Sequence, residues 1–241
     1  MTDSSPPPPD LSRLLVLLDY DGTVTDHEYN ERALQLLTGD AWRPFEEAAR
    51  RGEIGHAECL DRQVGLITVH KDELVAANSD PAQLTPGFDR FLTWLLAGGA
   101  RVNVVSAGFR EGIERFWRRY GLPPVPVYAS EIVSRDGGDG PPWGVEFNPL
   151  LSDCERCGPG SCKAGILRAL KRDGDLVAVF GDGVSDLCPA RLADIVFART
   201  TLAAFCEREG IPYHPLGGYD EAREQLAAWL GVEREHVERR P

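Results

Sequence analysis

Residues 14–26, Leu-Leu-Val-Leu-Leu-Asp-Tyr-Asp-Gly-Thr-Val-Thr-Asp, set two carboxylates, Asp19 and Asp21, at the end of a short apolar run. Bounded by Gly22, the run reads as a fully buried parallel strand over Leu14 to Leu18. Residues two apart on a strand share a face, so both acids lean toward the same small volume. Carboxylates that close repel, and without a partner one of them takes up a proton. A divalent cation removes the conflict, and hard oxygen donors suit Mg2+. Gly22 permits backbone angles that a β-carbon would hinder. A strand that merely ends in a polar turn is the plain alternative, and three later segments weigh against it.

Those segments are Ser106-Ala107-Gly108, Lys163, and Gly181-Asp182-Gly183-Val184-Ser185-Asp186. A carboxylate nucleophile can form an aspartyl phosphate, and a second acid can protonate the leaving oxygen and then activate water. A bound Mg2+ offsets charge between carboxylate and phosphate. A hydroxyl, backbone N–H groups and one ammonium can hold phosphoryl oxygens. Singly, Ser106 could just terminate a strand and Lys163 just begin a helix. Asp186 could be a first-turn acid favoured by the helix dipole.

The elements that would position these residues follow from periodicity. After the first strand, residues 29–80 lose strand character. Ala33, Leu34, Leu36, Leu37, then Phe45 and Ala48, then Cys59, Leu60, Val64 and Ile67 recur at helical spacing, so about four short helices are expected. A helix with Phe88, Phe91, Leu92, Leu95 and Leu96 on one face closes at Gly98-Gly99. Arg101 to Val105 reads as a second strand, Phe109 to Tyr120 as a helix, and Val125 to Ala129 as a third strand weakened by Pro126. Residues 131–147 resemble a hairpin, and a helix over 163–172 leads into strand Leu176 to Phe180. Strand Ile195 to Ala198 brings the expected strands to five, with helices near 200–209 and 219–230. Strands alternating with helices predict a right-handed parallel α/β sheet, in which ligands bind beyond the carboxyl ends of the strands. The polar segments fall there. The expected organisation is a Pro-rich, disordered arm over 1–10, an α/β core over 11–27 and 82–241, and a helical cap over 28–81.

Composition narrows the partners. A net charge of −12 repels polyanions, so no nucleic acid is expected. No apolar run approaches ~18 residues, so no membrane span is expected. With no signal region at the N-terminus and six cysteines in 241 residues, the expected setting is the reducing cytoplasm. The sequence sets no oligomeric state.

Taken in order, Asp19-Tyr-Asp21-Gly-Thr, Ser106, Lys163 and Gly181-Asp182-Gly-Val-Ser-Asp186 resemble the four motifs of the haloacid-dehalogenase superfamily, over about residues 12–230. The resemblance implies a Rossmann-like α/β fold and Mg2+-dependent hydrolysis of a small phosphorylated metabolite. It implies Asp19 as nucleophile, Asp21 as general acid/base, and Ser106, Ala107, Gly108 and Lys163 as the phosphate-holding groups. Asp182 would bind Mg2+ with Asp19 and the Asp21 carbonyl, and Asp186 would support that site. The helical insert is similar to the cap of the subfamily containing phosphoserine phosphatase. There the position matching Glu28 carries a glutamate that reads a substrate ammonium; a solvated acid near the helix start is the plain alternative. Arg43, Arg50, Arg51 and Arg62 are candidate carboxylate readers. The run from Cys154 through Cys157 to Cys162-Lys163, with the segments 181–189 and 193–199, resembles two groups. One is the methionine-salvage phosphatases acting on a methylthio-enol phosphate; the other is the phosphoethanolamine/phosphocholine phosphatases.

Cys154, Cys157 and Cys162 have C-x2-C-x4-C spacing, and Cys188 could add a fourth thiol. Zinc is the sharp reading. Because the usual second C-x2-C pair is missing, reduced thiols that shape the loop before Lys163 are the favoured expectation. Among other classes, a phospho-acceptor receiver domain is about half this length and needs no helical insert. A silent binding protein would not need every polar group of the set. A P-loop enzyme fails because the chain has no G-x-x-x-x-G-K-[ST] segment.

Overall fold

The computed structural model describes residues 10–27, 29–151, 154 and 161–238, with side chains as far as residue 231. The Pro-rich arm up to residue 9, Glu28 and Cys157 lie outside the described residues. Strand β1, Leu14–Leu18, is buried along its whole length. Its alternate side chains feed both faces of the sheet, as a strand's period of two requires. Leu14, Val16 and Leu18 pack with Phe88, Phe91, Phe180 and Tyr219, whereas Leu15 and Leu17 pack with Val105, Ile166, Leu167 and Val179.

The chain then makes four helices, α1 (Asn30–Thr38), α2 (Arg43–Arg50), α3 (His56–Gly65) and α4 (Lys71–Ser79). It returns through α5 (Phe88–Ala97), whose Phe88, Phe91, Leu92 and Leu95 form one buried stripe. Next come β2 (Arg101–Phe109), α6 (Arg110–Tyr120), β3 (Val127–Ser134) and β4 (Trp143–Glu146). The rest is α7 (Ala164–Leu170), β5 (Leu176–Gly181), α8 (Leu187–Ala190), β6 (Ile195–Ala198), α9 (Thr200–Glu209), β7 (His214–Pro215) and α10 (Tyr219–Glu238). The sheet order is β4-β3-β2-β1-β5-β6-β7, parallel except for the antiparallel β3–β4 pair. The expected parallel α/β sheet is therefore present. The chain leaves β1 toward β2 and later returns to its other side as β5, so the carboxyl end of β1 is the switch point where such sheets bind ligands.

Three expectations need correction. The sheet has seven strands rather than five, because β4 is the return arm of the hairpin and β7 spans only two residues. Strand β2 does not stop at Val105. Val105 pairs with Tyr128 and Phe109 with Ser130, so Ser106-Ala107-Gly108 bulge out between the two pairings. Strand β3 begins after Pro126, not at Val125; proline has no N–H to give a ladder, but its carbonyl accepts from Val104 N–H at 3.0 Å.

The helical insert has its own apolar centre, and the hairpin completes it. Leu34, Trp42, Leu60, Val64, Ile67, Leu74 and Val75 pack with Ile132 of β3 and Trp143 of β4. Trp143 Nε1 donates to Val69 O at 2.9 Å, and Asp61 accepts from Val145 N–H at 3.0 Å while pairing with Arg135 at 2.7 Å. On the other side Lys71 pairs with Glu111, and Arg115 with Asp80, tying α4 to α6. These ties hold the insert over the end of β1.

Candidate active site

Asp19 follows directly on β1, and its carboxylate accepts from Tyr20 N–H at 2.7 Å. The chain then turns tightly through Tyr20–Val24, closed by Thr25 N–H to Tyr20 O at 3.0 Å. Gly22 sits in the left-handed region at φ 69°, and a β-carbon there would lie 2.6 Å from Asp182 Oδ2. The first acid loop and the loop after β5 thus approach as closely as a glycine allows. The same holds at Gly181, where a β-carbon would lie 2.5 Å from Asp186 Cγ.

Asp19, Asp182 and Asp186 bring carboxylate oxygens within 4.8 Å of one another, all three buried. Lys163, only 2% exposed, places Nζ 2.5 Å from Asp19 Oδ1 and 2.8 Å from Asp186 Oδ1. Burial pushes the Asp19 carboxyl up to about 7, against the pull of Lys163 and with a further push from Asp182. Burial also raises Asp186 to about 7, with Asp19 adding to the rise and Lys163 opposing it. Burial works to discharge Lys163, but Asp186 and Asp19 outweigh it and hold the ammonium charged. Three buried carboxylates, two of them bonded to the one ammonium, leave an excess of negative charge in a dry place. A hard divalent cation fits that donor set.

The bulge of β2 brings Ser106 to the same place. Ser106 Oγ accepts from Gly108 N–H at 2.9 Å, and a β-carbon on Gly108 would stand 3.4 Å from Asp21 Oδ2. A cavity of about 270 Å3 opens here, lined on the core side by Asp19, Asp21, Ser106, Ala107, Gly108 and Asp182. Lys163 does not line it. The lysine braces Asp19 and Asp186 from beneath.

Several lining residues escape sequence reasoning. The insert contributes Leu34, Trp42 and Leu60 as an apolar wall, with Glu31, Glu46, His56 and Gln63 beside it. Gln63 Nε2 donates to Glu46 Oε2 at 3.3 Å, and Arg50 pairs with both Glu46 and Glu31, at 3.1 and 3.2 Å. Burial lowers the His56 pKa despite Glu46, so the imidazole is neutral at neutral pH. None of these stands in a spacing motif; Leu34 and Leu60 read only as core. The four candidate arginines do not line the cavity. Arg43 pairs with Asp40, Arg51 with Glu53, Arg62 with Glu58 and Arg50 with the two glutamates.

This arrangement can be set against known proteins. The family model for haloacid dehalogenase-like hydrolases matches residues 16–191, and the chain belongs to that family. A 2-hydroxy-3-keto-5-methylthiopentenyl-1-phosphate phosphatase of Exiguobacterium sibiricum is 29% identical, over 83% of this chain and 90% of its own. The Bacillus cereus protein of the same description is 26% identical, over 90% and 97%. A solved substrate-bound phosphoserine phosphatase shares the fold at a TM-score of 0.65, with 17% identity over 89% of this chain and 98% of that one. The chain is thus an enzyme of the hydrolase family, with phosphatase relatives along nearly its full length. No helix among the described residues is long and apolar enough to cross a membrane.

Proposed function

We propose that the protein is a Mg2+-dependent cytoplasmic phosphomonoesterase that hydrolyses a small phosphorylated metabolite through an aspartyl phosphate on Asp19. The observation that carries this is the meeting of Asp19, Asp21, Ser106 and Asp182 around one cavity at the switch point of the sheet. Asp19, Asp182 and the Asp21 carbonyl would hold Mg2+, with Asp186 in support; when bound, it neutralises charge between carboxylate and phosphate. Asp19 attacks phosphorus, and Asp21 gives its proton to the leaving oxygen. The ionised Asp21 then takes a proton from the water that cleaves the acyl phosphate. Ser106 and the Ala107 N–H would hold the phosphoryl oxygens, joined by the Gly108 N–H once it turns from Ser106 Oγ, to which it donates at 2.9 Å. Lys163, bonded to Asp19 and Asp186, orients the nucleophile and adds positive charge close to the transferring group.

The wall built by the insert favours a substrate tail that is apolar and carries no second anion. Leu34, Trp42 and Leu60 offer apolar surface. Glu31 and Glu46 repel a carboxylate, and Arg50 offsets part of their charge, which weakens their pull on an amine. A methylthio-enol phosphate, the substrate type in the description of the relatives, meets these terms better than phosphoserine or phosphoethanolamine. Phosphate release from the three substrates tests this: kcat/KM should be highest for the methylthio-enol phosphate. A tenfold preference for phosphoserine, about 1.4 kcal/mol, would reverse the assignment.

A further inference from the structure

Away from the carboxylates, a second group of metal-type donors comes together. The Sγ atoms of Cys154, Cys162 and Cys188 all lie within 4.8 Å of one another, and those of Cys154 and Cys188 are 3.4 Å apart. A disulfide bond needs about 2.05 Å, so Cys154 and Cys188 are not joined. An ion bound at about 2.3 Å from each thiolate spaces the sulfurs roughly 3.8 Å apart in a tetrahedron. The 3.4 Å between Cys154 and Cys188 and the 4.8 Å that bounds the other two pairs are compatible with that value. Cys162 is buried and the other two are half-buried, against the apolar cluster of Leu187, Val196, Leu202 and Phe205. Cys59 and Cys206 stand outside the group.

We propose that Cys154, Cys162 and Cys188 bind a zinc ion that fastens the loop ending at Lys163 to helix α8. The sequence weighs against zinc because a second C-x2-C pair is missing, yet the fold supplies the third thiol, Cys188, from helix α8. Cys188 lies two residues after Asp186, and Cys162 immediately precedes Lys163. The ion would therefore clip together the two segments whose side chains already meet as Lys163 Nζ and Asp186 Oδ1. Thiolates select soft or borderline ions, so this site takes zinc and leaves Mg2+ to the carboxylates. Binding converts three thiols to thiolates and releases three protons to solvent, and a water molecule fills the fourth position of the tetrahedron. Cys157, outside the described residues, is not counted among the ligands.

The test is elemental analysis of the full chain, produced with zinc in the medium and purified without chelator. Roughly one zinc per chain is expected, lost in Cys188→Ser and kept in Cys59→Ser. Should Cys188→Ser fail to fold, the wild type decides alone. Replacing the ion by Co2+ should give a thiolate-to-cobalt charge-transfer band that excess Mg2+ does not remove. Iron or copper in place of zinc, or metal-free protein whose thiols react with a thiol reagent or pair as a disulfide, would overturn the proposal. So would zinc that stays in Cys188→Ser.

Discussion

Replacing Lys163 by Met keeps the unbranched stem, one atom shorter, and removes the ammonium that bonds Asp19 at 2.5 Å and Asp186 at 2.8 Å. Breaking a buried pair from one side costs about 3–5 kcal/mol, because a charge is left without compensation. At 2–4 °C per kcal/mol for a chain of this size, metal-free Lys163→Met should melt roughly 6–20 °C below the wild type. The loss should depend on pH with a definite sign. Asp19 and Asp186 have carboxyl pKa values raised from 3.8 to about 7, so their protonated forms suit the fold. A raised acid contributes stability fully present below 3.8 and lost as pH rises through about 7. Protonation relieves the repulsion that Lys163 otherwise offsets, so the variant should fall furthest at about pH 8 and less at about pH 5. Thermal unfolding in chelator-treated buffer at both pH values measures this, and added Mg2+ should narrow the gap at the higher one. A shift under about 2 °C at both would refute the reasoning.

Three further outcomes follow from named contacts. Gly22→Ala forces a left-handed residue, costing about 1–2 kcal/mol, and drives a methyl toward Asp182 Oδ2; Mg2+ titration of activity should show roughly tenfold weaker binding, and unchanged binding would contradict the contact. Asp21→Asn should lower phosphate release by roughly 10²- to 10⁴-fold. The Asp21 carboxylate stands outside the group formed by Asp19, Asp182 and Asp186, so Mg2+ affinity should stay near wild type; losing both together would make Asp21 a side-chain ligand instead. Trp143→Ala empties the hairpin's contribution to the insert and should cost about 3–5 kcal/mol in urea unfolding, whereas a cost below about 1 kcal/mol would mean that the hairpin does not brace it.

What the sequence makes legible is local. Asp19 and Asp21 can be read because the apolar run of β1 ends just before them; both line the cavity, but they lie past Leu18, and Asp21 is carried by the turn through Gly22 rather than by the strand's period. Strand Ile195–Ala198 and helix Thr200–Glu209 fall where periodicity sets them. Of the helices in residues 30–79, α1 and α3 announce themselves by the spacing of Leu34, Leu60 and Val64, whereas Leu36, expected on the apolar face, is exposed and α2 buries none of its residues. Other features depend on partners distant in the chain. The Ser106–Gly108 bulge is defined by its pairing with Tyr128 and Ser130, and β7 by two residues beside β6. Trp143 joins the insert only because the hairpin folds back over it. Glu46, His56 and Gln63 become cavity residues through helix packing, with no motif to mark them. Cys188 meets Cys154 and Cys162 only once α8 packs against the loop before Lys163.

The central claim is that Asp19 carries the phosphoryl group. Acid-quenched turnover with a phosphate-labelled substrate, followed by peptide mapping, measures it directly. The label should sit on the peptide containing Asp19, release with hydroxylamine as an acyl phosphate does, and build up further in Asp21→Asn. Label on Ser106, or Mg2+-dependent turnover by Asp19→Asn at the wild-type rate, would contradict the account.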